Sequence, residues 1–337
     1  MKNCKAFGIC LLYSATMAAN PVSGAGAEPK KMVVAVPVAD LRRQPAPGQN
    51  NRRQDMNQET QLLYGEKVIA YEEKGGWIRV EAIEQEQFKK TKKWGPYPGW
   101  IKKEFLREVA EFPRTNAVVA EGYAGVMSEP SPRAKVLVRV SLGTRLAASP
   151  DAGKFPQWIR VELAYGSQGW IDKRQVRLDD ETQSADQIRN SIIEKAKFFL
   201  KAKAPYFWGG RSFYDETSES QRTSVDCSGL VHLAYGIGGV RVPRDAHEQF
   251  LKSEKIRAND LKTGDLIFLA LRKNPKEVSH VMIYQGNGMV IEAASAESGV
   301  KESAFKDRLG VPLESIKGDT LETKSWIVTF GTYLKER

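Results

Sequence analysis

The chain is poor in cysteine and histidine, with three of each in 337 residues. Two of the cysteines, Cys4 and Cys10, lie in an N-terminal stretch with the marks of an export signal. Lys2 and Lys5 form a basic start, Phe7 to Ala19 a modest apolar run, and Ala25-Gly26-Ala27 a small-x-small cleavage pattern. Removal of residues 1–27 is therefore expected. Neither cysteine suits lipid attachment, because Lys5 follows Cys4 and Ile9 precedes Cys10. The mature chain would keep one thiol, Cys227. A single thiol forms no intrachain disulfide, so the core alone must hold the fold. A lone thiol in an oxidising compartment needs a reason. Catalysis is one, and an inert buried cysteine is the other.

Other absences narrow the function further. The apolar run is too short to cross a bilayer, so no transmembrane span is expected after cleavage. Three scattered histidines and one cysteine offer no ligand spacing, so no metal is expected. No phosphate loop or nucleotide motif stands out, so no cofactor is expected either. Negative charge is the scarcer sign: the formal net charge is +10, or +8 once Lys2 and Lys5 are removed. Outside a cell, such a surface suits anionic wall polymers or lipid headgroups better than nucleic acid. The densest basic cluster, Lys89 to Lys93, reads as a solvated loop. The length suggests two or three domains.

What is present begins with a repeat. Trp77-Ile78-Arg79-Val80-Glu81 recurs as Trp158-Ile159-Arg160-Val161-Glu162, and Gly-Trp-Ile follows each copy at Gly99 and Gly169. Each copy has a Val-rich stretch ahead of it, Met32 to Val38 and Ala117 to Val126. Each also has a short intermediate strand, Lys67 to Tyr71 and Val136 to Val140. Short strands with frequent turn signals predict small β-barrels. The two copies resemble bacterial SH3-like domains, over about residues 32–110 and 111–180. Between Glu81 and Gly99 lie 17 residues, against 6 between Glu162 and Gly169. The first copy thus carries an insertion, with Trp94 and Tyr97 in it. Loops on rigid barrels often bind ligands, and packing alone is the plainer reading.

After an acidic linker, Asp179 to Asp186, the pattern changes. Ile188 to Leu200 has helical apolar spacing, and Trp208-Gly209-Gly210 marks a tight turn. Asp226-Cys227-Ser228-Gly229 then precedes an apolar run, which puts Cys227 near a helix start. Free N–H groups and the helix dipole there favour a thiolate. A cysteine nucleophile needs a base. His232, five residues on along the same helix, faces away from the sulfur. His247 lies in a polar helical stretch and reads as surface. His280 begins a strand, His280 to Tyr284, and is the leading candidate, with the other two as alternatives. A hairpin through Gly286-Asn287-Gly288 places Glu292 within about one residue of directly opposite His280. Glu292 is thus the candidate to orient the imidazole, and an exposed edge-strand glutamate is the alternative.

Five motifs now come in one order. They are Tyr206-x-Trp208-Gly209-Gly210, Asp226-Cys227-Ser228-Gly229, Pro243-Arg244-Asp245, Gly264-Asp265-Leu266-Ile267-Phe268 and Ser279-His280-Val281. In this the second half resembles the NlpC-type, papain-like cell-wall cysteine peptidases, over about residues 181–337. The resemblance implies a multidomain chain: two all-β SH3-like barrels followed by an α+β papain-like catalytic domain. It implies Cys227 as nucleophile, His280 as base and Glu292 as third member, where relatives commonly carry His.

With two SH3-like domains in front, the chain resembles γ-D-glutamyl-L-diamino-acid endopeptidases acting on peptidoglycan stem peptides. In those, a Tyr before the first Gly-Trp, here Tyr97, and the Asp before the nucleophile, here Asp226, bind a free L-Ala amine. Ser228 follows in that motif, and Glu59 is the acidic residue chosen to assist. Tyr206, Trp208, Arg244 and Asp245 complete the expected substrate-binding set. Ala246 stands where relatives often have a hydroxyl. The expected protein is an exported, periplasmic or extracellular monomer. Two other readings remain: a wall-binding protein with a degenerate catalytic half, and a thiol acyltransferase on the same fold.

Overall fold

The computed structural model describes residues 28–48, 55–149, 154–179, 183–213 and 224–334. The expected export signal, with Cys4 and Cys10, lies outside them. Among the described residues, no helix is long and apolar enough to cross a membrane.

The first unit has seven strands: β1 (Lys30–Val34), β2 (Val38–Arg42), β3 (Gln58–Leu63), β4 (Lys67–Lys74), β5 (Trp77–Gln87), β6 (Gly95–Lys102) and β7 (Leu106–Glu108). Their order in the sheet is β3-β2-β6-β5-β4-β1-β7. The second unit has β8 (Ala117–Val119), β9 (Tyr123–Met127), β10 (Val136–Ser141), β11 (Arg145–Ser149), β12 (Trp158–Glu162), β13 (Gln168–Asp172) and β14 (Val176–Leu178). Its order is β10-β9-β13-β12-β11-β8-β14. Each strand of the second unit takes the sheet position of the strand seven earlier. The sequence repeat is thus a repeat of topology.

The repeated residues account for this. In β5, Ile78, Val80 and Ala82 are buried while Trp77, Arg79 and Glu81 are not, the period of two that a half-buried strand requires. Arg79 pairs with Trp100 and Val80 with Gly99; Arg160 pairs with Trp170 and Val161 with Gly169. The glycine of each Gly-Trp-Ile has a steric cause. A Cβ at Gly99 would lie 2.6 Å from the Leu41 side chain, and one at Gly169 would lie 2.4 Å from that of Val126. The neighbouring strand passes too close for any side chain.

The structure resolves the Val-rich stretches into strands and re-pairs the intermediate ones. Met32 to Val38 and Ala117 to Val126 are each two strands, broken between Val34 and Val38 and between Val119 and Tyr123. The intermediate strands are not counterparts either. Lys67–Lys74 corresponds to Arg145–Ser149, and Val136–Ser141 to Gln58–Leu63. β10 is Val-rich, whereas its counterpart β3 is mostly polar and lacks any apolar alternation.

β3 is nevertheless buried along its whole length. It is an edge strand that docks on the third unit, by hydrogen bonds at Thr60 and Gln61 beside the apolar contact of Leu63. The Gln61 side-chain oxygen accepts from the Arg211 N–H at 3.0 Å and from Ser212 Oγ at 2.9 Å. Thr60 Oγ1 accepts from Arg244 Nε at 2.6 Å. Buried polar groups persist only where they are paired in this way.

The third unit opens with α1 (Ala185–Lys201), started by a Ser184/Gln187 capping box. α2 (Cys227–Ile237) and α3 (Ala246–Lys252) follow, then β15 (Glu254–Ile256), β16 (Leu266–Leu271), β17 (Val278–Gly286), β18 (Met289–Ser295), β19 (Gly299–Ala304), α4 (Phe305–Leu309), β20 (Thr320–Glu322) and β21 (Trp326–Thr332). The sheet is antiparallel, in the order β15-β21-β16-β17-β18-β19. Leu230, Val231 and Ala234 of α2 pack with Phe268, Val281 and Ile291 of the sheet. Leu63 of the first unit and Val118 and Leu142 of the second join the same core. The three units therefore share apolar packing, which fixes the first unit against the helix that carries Cys227.

Candidate active site

The site is built from the start of α2. Asp226 is the N-cap residue, in extended conformation, and its carboxylate accepts the Gly229 N–H at 2.6 Å. Such a cap satisfies an otherwise orphaned donor. It leaves the Cys227 N–H, one position into the helix, free of the cap. Gly229 is required here, because a Cβ would lie 2.1 Å from the Gly210 carbonyl oxygen. That contact presses the turn Phe207–Gly210 onto the helix start, and the Gly209 N–H donates to Asp226 at 2.9 Å.

Arg244 locks the same carboxylate. Its Nη1 and Nη2 reach the two Asp226 oxygens at 3.0 and 2.9 Å, and Nη1 also donates to Ser228 Oγ at 3.0 Å. Nη2 reaches the Gly210 carbonyl at 3.3 Å and Nε reaches Thr60. Arg244 is 0% exposed. Arg244 and the Asp226 carboxylate are thus taken up by each other and by their neighbours, whereas Ser228 Oγ keeps a lone pair. Five donors converge on the two Asp226 oxygens, counting Ser228 Oγ at 3.3 Å, and a carboxylate offers about four lone-pair sites. These three residues hold the start of α2 and the first unit together.

Cys227 is buried, at 8% exposure, at the mouth of this helix. His280 of β17 faces it. The imidazole Nε2 lies 2.6 Å from Glu292 Oε2, which leaves Nδ1 for the sulfur. Burial alone would lower the His280 pKa. The charge of Cys227 and its hydrogen bond, then those of Glu292, outweigh this and raise it to about 9. Burial would raise the Glu292 pKa, but His280 and then Arg308 hold the carboxyl down at about 2. A thiol facing an imidazole that a fixed carboxylate orients is the arrangement for nucleophilic attack on a carbonyl.

The hairpin register differs from expectation. Ile283 pairs with Ile291. One step further puts Glu292 opposite Met282, so His280 is its diagonal neighbour on the same face, two residues along. The long glutamate side chain spans that diagonal. The edge-strand alternative fails as well. Glu292 is 0% exposed, because β19 pairs on its other side, with Lys301 opposite.

Arg308 of α4 was not foreseen. Its Nε donates to Glu292 Oε1 at 2.8 Å, and Lys301 Nζ stands 3.8 Å from the same oxygen. No motif marks Arg308 in the sequence; α4 delivers it across β19. Arg308→Ala is expected to destabilise the protein by about 1.5–3 kcal/mol, the range for a hydrogen bond to a charged group. Urea unfolding checks this, and an unchanged midpoint would remove Arg308 from the buried network.

The other two histidines are elsewhere. His232 lines a cavity of about 880 Å³ between the three units, a cavity that Cys227 does not line. Burial, then Arg211 and Arg244, hold its pKa well below the ordinary value. His247 is not simply surface. Its Nδ1 accepts the Val278 N–H at 3.2 Å, which anchors the start of β17 two residues before His280.

Tyr206 is 8% exposed, close enough to Cys227 and Asp226 to feel their charge. Burial first, then those charges, raise its pKa, so its hydroxyl stays a donor beside the sulfur. Trp208 stands 38% exposed on the turn before it.

A second cluster forms where the first unit meets α3. The insertion extends the β5–β6 hairpin rather than hanging as a loose loop. Phe88 and Lys89 N–H groups donate to Glu248 Oε1 at 3.4 and 2.9 Å, and the Glu86 carbonyl accepts from the Arg244 N–H at 3.0 Å. Trp94 packs on Phe88, with centroids 5.4 Å apart, and lies under Lys252 at 4.4 Å. Tyr97 is 1% exposed and donates to Asp245 Oδ2 at 2.9 Å, with Glu59 Oε2 at 3.4 Å. Burial and then the two carboxylates hold the Tyr97 pKa well above its usual value. Burial raises the Asp245 pKa to about 6, against the pull of Arg244. Asp245 keeps about a third of its side chain exposed.

Comparison with known proteins agrees with this architecture. Residues 203–312 match the NlpC/P60 family. The chain is 32% identical to the γ-D-glutamyl-L-lysine dipeptidyl-peptidase of Bacillus cereus, over 72% of this chain and 69% of that one. It is 26% identical to the enzyme of the same name from Bacillus subtilis, over 72% and 74%. A crystal structure of an NlpC/P60 family protein from Bacillus cereus superposes with a TM-score of 0.69 at 26% identity, covering 90% of this chain and all of that one. Fold, order of units and sequence agree, and the chain belongs to the NlpC/P60 family of cysteine peptidases.

Proposed function

We propose that the protein cleaves the bond between γ-D-glutamate and the following diamino acid in peptidoglycan stem peptides that bear a free N-terminal L-Ala. One observation carries this reading. Two acidic side chains, Asp245 and Glu59, converge on the Tyr97 hydroxyl. They form an acidic seat where the first unit meets the catalytic one, with Asp245 about a third exposed. A buried ammonium needs carboxylate partners or its desolvation is prohibitive. The relatives in both bacilli carry names for γ-D-glutamyl-L-lysine dipeptide release, which is the same bond class.

In this reading Cys227 attacks the γ-carbonyl as thiolate, and a donor set of the Cys227 N–H and the Tyr206 hydroxyl receives the oxyanion. His280 then protonates the leaving amine, and water releases L-Ala-γ-D-Glu. Trp208 flanks the entrance. A wall at the amine end excludes stems still linked to glycan, so the substrates are freed or already trimmed peptides. Such work belongs outside the cytoplasm, in the periplasm or at the wall.

Acetylating the substrate amine is expected to lower kcat/KM by at least about 100-fold, the effect of stranding a buried charged group. Mass spectrometry of capped and free L-Ala-γ-D-Glu–diaminopimelate measures it, and equal turnover of both would overturn the reading.

A further inference from the structure

The extended β5–β6 hairpin brings a cation of its own into the amine seat. Lys90 Nζ forms an ion pair with Glu59 and stands 5.6 Å from the Tyr97 ring centroid. Its charge also acts on Asp245. The loop is ordered to place it there. The Lys90 N–H donates to Gln87 Oε1 at 2.8 Å, while Gln87 Nε2 donates to Thr91 Oγ1 at 2.9 Å. Gln87 is fully buried, and Glu248 grips the two residues before Lys90 by their N–H groups.

Lys90 holds the oxygen that faces the phenol: Lys90 Nζ and the Tyr97 hydroxyl both reach Glu59 Oε2. Four carboxylates stand around the seat: Glu59, Asp226, Asp245, and Glu248, whose charge also acts on Asp245. Arg43, 2.7 Å from Glu59, Arg244 on Asp226, and Lys90 supply three cations. A substrate ammonium seated on that Glu59 oxygen would stand against the Lys90 ammonium, and two like charges on one carboxylate oxygen repel each other. That position opens when Lys90 leaves. Lysine suits that exchange: its ammonium is a point charge on a flexible stem, and 28% of this side chain reaches solvent.

We propose that Lys90 is a resident competitor for the substrate's amine, a specificity-determining residue that keeps the seat occupied until a stem peptide displaces it. The proposal rests on the amine seat argued above. Simple amines gain only the seat and do not win the exchange. A stem peptide brings its contacts around Cys227 as well, and does.

The test compares wild type, Lys90→Ala, Lys90→Gln and Lys90→Arg on L-Ala-γ-D-Glu–diaminopimelate, with L-alaninamide as competing amine. A seat open a tenth of the time weakens apparent affinity about tenfold, so KM should fall about that much in the Ala and Gln variants. The change should fall on KM rather than kcat. Inhibition by L-alaninamide should strengthen by a similar factor, and Lys90→Arg should keep the wild-type values. An unchanged or raised KM in both neutral variants, with the acetylated peptide still refused by wild type, would overturn the competitor role and leave the seat standing. Equal turnover of the acetylated peptide by wild type would remove the seat itself, and the competitor with it.

Discussion

Incubated with L-Ala-γ-D-Glu–diaminopimelate, the wild-type protein is expected to release L-Ala-γ-D-Glu, and Cys227→Ala to release none above background. The expected loss is about 10⁵–10⁶-fold in kcat, because the nucleophile and its base act as a unit. The expectation rests on geometry. Cys227 starts a helix whose cap leaves its N–H free, and His280 faces it with Nε2 already committed to Glu292. Mass spectrometry identifies product and nucleophile together. Alkylation gives a second readout: iodoacetamide should modify Cys227 faster than free cysteine at neutral pH, as for a thiolate paired with imidazolium. Dipeptide release by Cys227→Ala would sink the assignment. Slow alkylation with no turnover by wild type would favour a wall-binding protein.

Glu292→Gln is expected to reduce kcat/KM by about two to four orders of magnitude, as when the carboxylate behind a catalytic imidazole is made neutral. The imidazole loses the charge that holds its tautomer and stabilises its protonated form. The pH profile should move as well. With the His280 pKa at about 9, activity in the wild type should decline on the alkaline side as the pH passes about 9. Without the carboxylate that decline should begin at lower pH.

Stability should follow the same groups. The His280 pKa lies above its ordinary value, so the pair stabilises the fold fully below about 6.5 and this is lost as pH rises through about 9. The Glu292 pKa is lowered to about 2, so its contribution is present above about 4.5 and is lost as pH falls through about 2. Glu292→His should recover little activity, because Arg308 and Lys301 would then face a neutral or like-charged ring. A Glu292→Gln enzyme with unchanged rate and profile would reduce the glutamate to a packing role.

Glu292 also shows where sequence reasoning reaches and where it stops. The Gly-Asn-Gly turn identifies the hairpin, and period-two alternation identifies the face. The register depends on where the turn starts, and it came out two residues from the opposite position rather than within one. Arg308 had no signal at all, because a fold contact between α4 and β18 brings it in. Asp226 shows the converse. Its motif names it beside the nucleophile, but only the three-dimensional count of its donors shows that it is spent on Arg244 and two backbone N–H groups.

The sequence by itself determined the repeat and the order of the units, and it made Cys227 and His280 the leading pair. Those features are local: strand alternation, a glycine where a strand passes close, a helix start before a thiol, a histidine opening a strand. Tertiary structure decided what surrounds the thiol. A polar edge strand, β3, is buried because its partners come from another unit, and it carries Glu59 to Tyr97 and Asp245. An extended hairpin carries Lys90 into the same seat. Such groups are charged or polar in the sequence, like any solvated loop, and only the docking of one unit on another removes their water and pairs their charges.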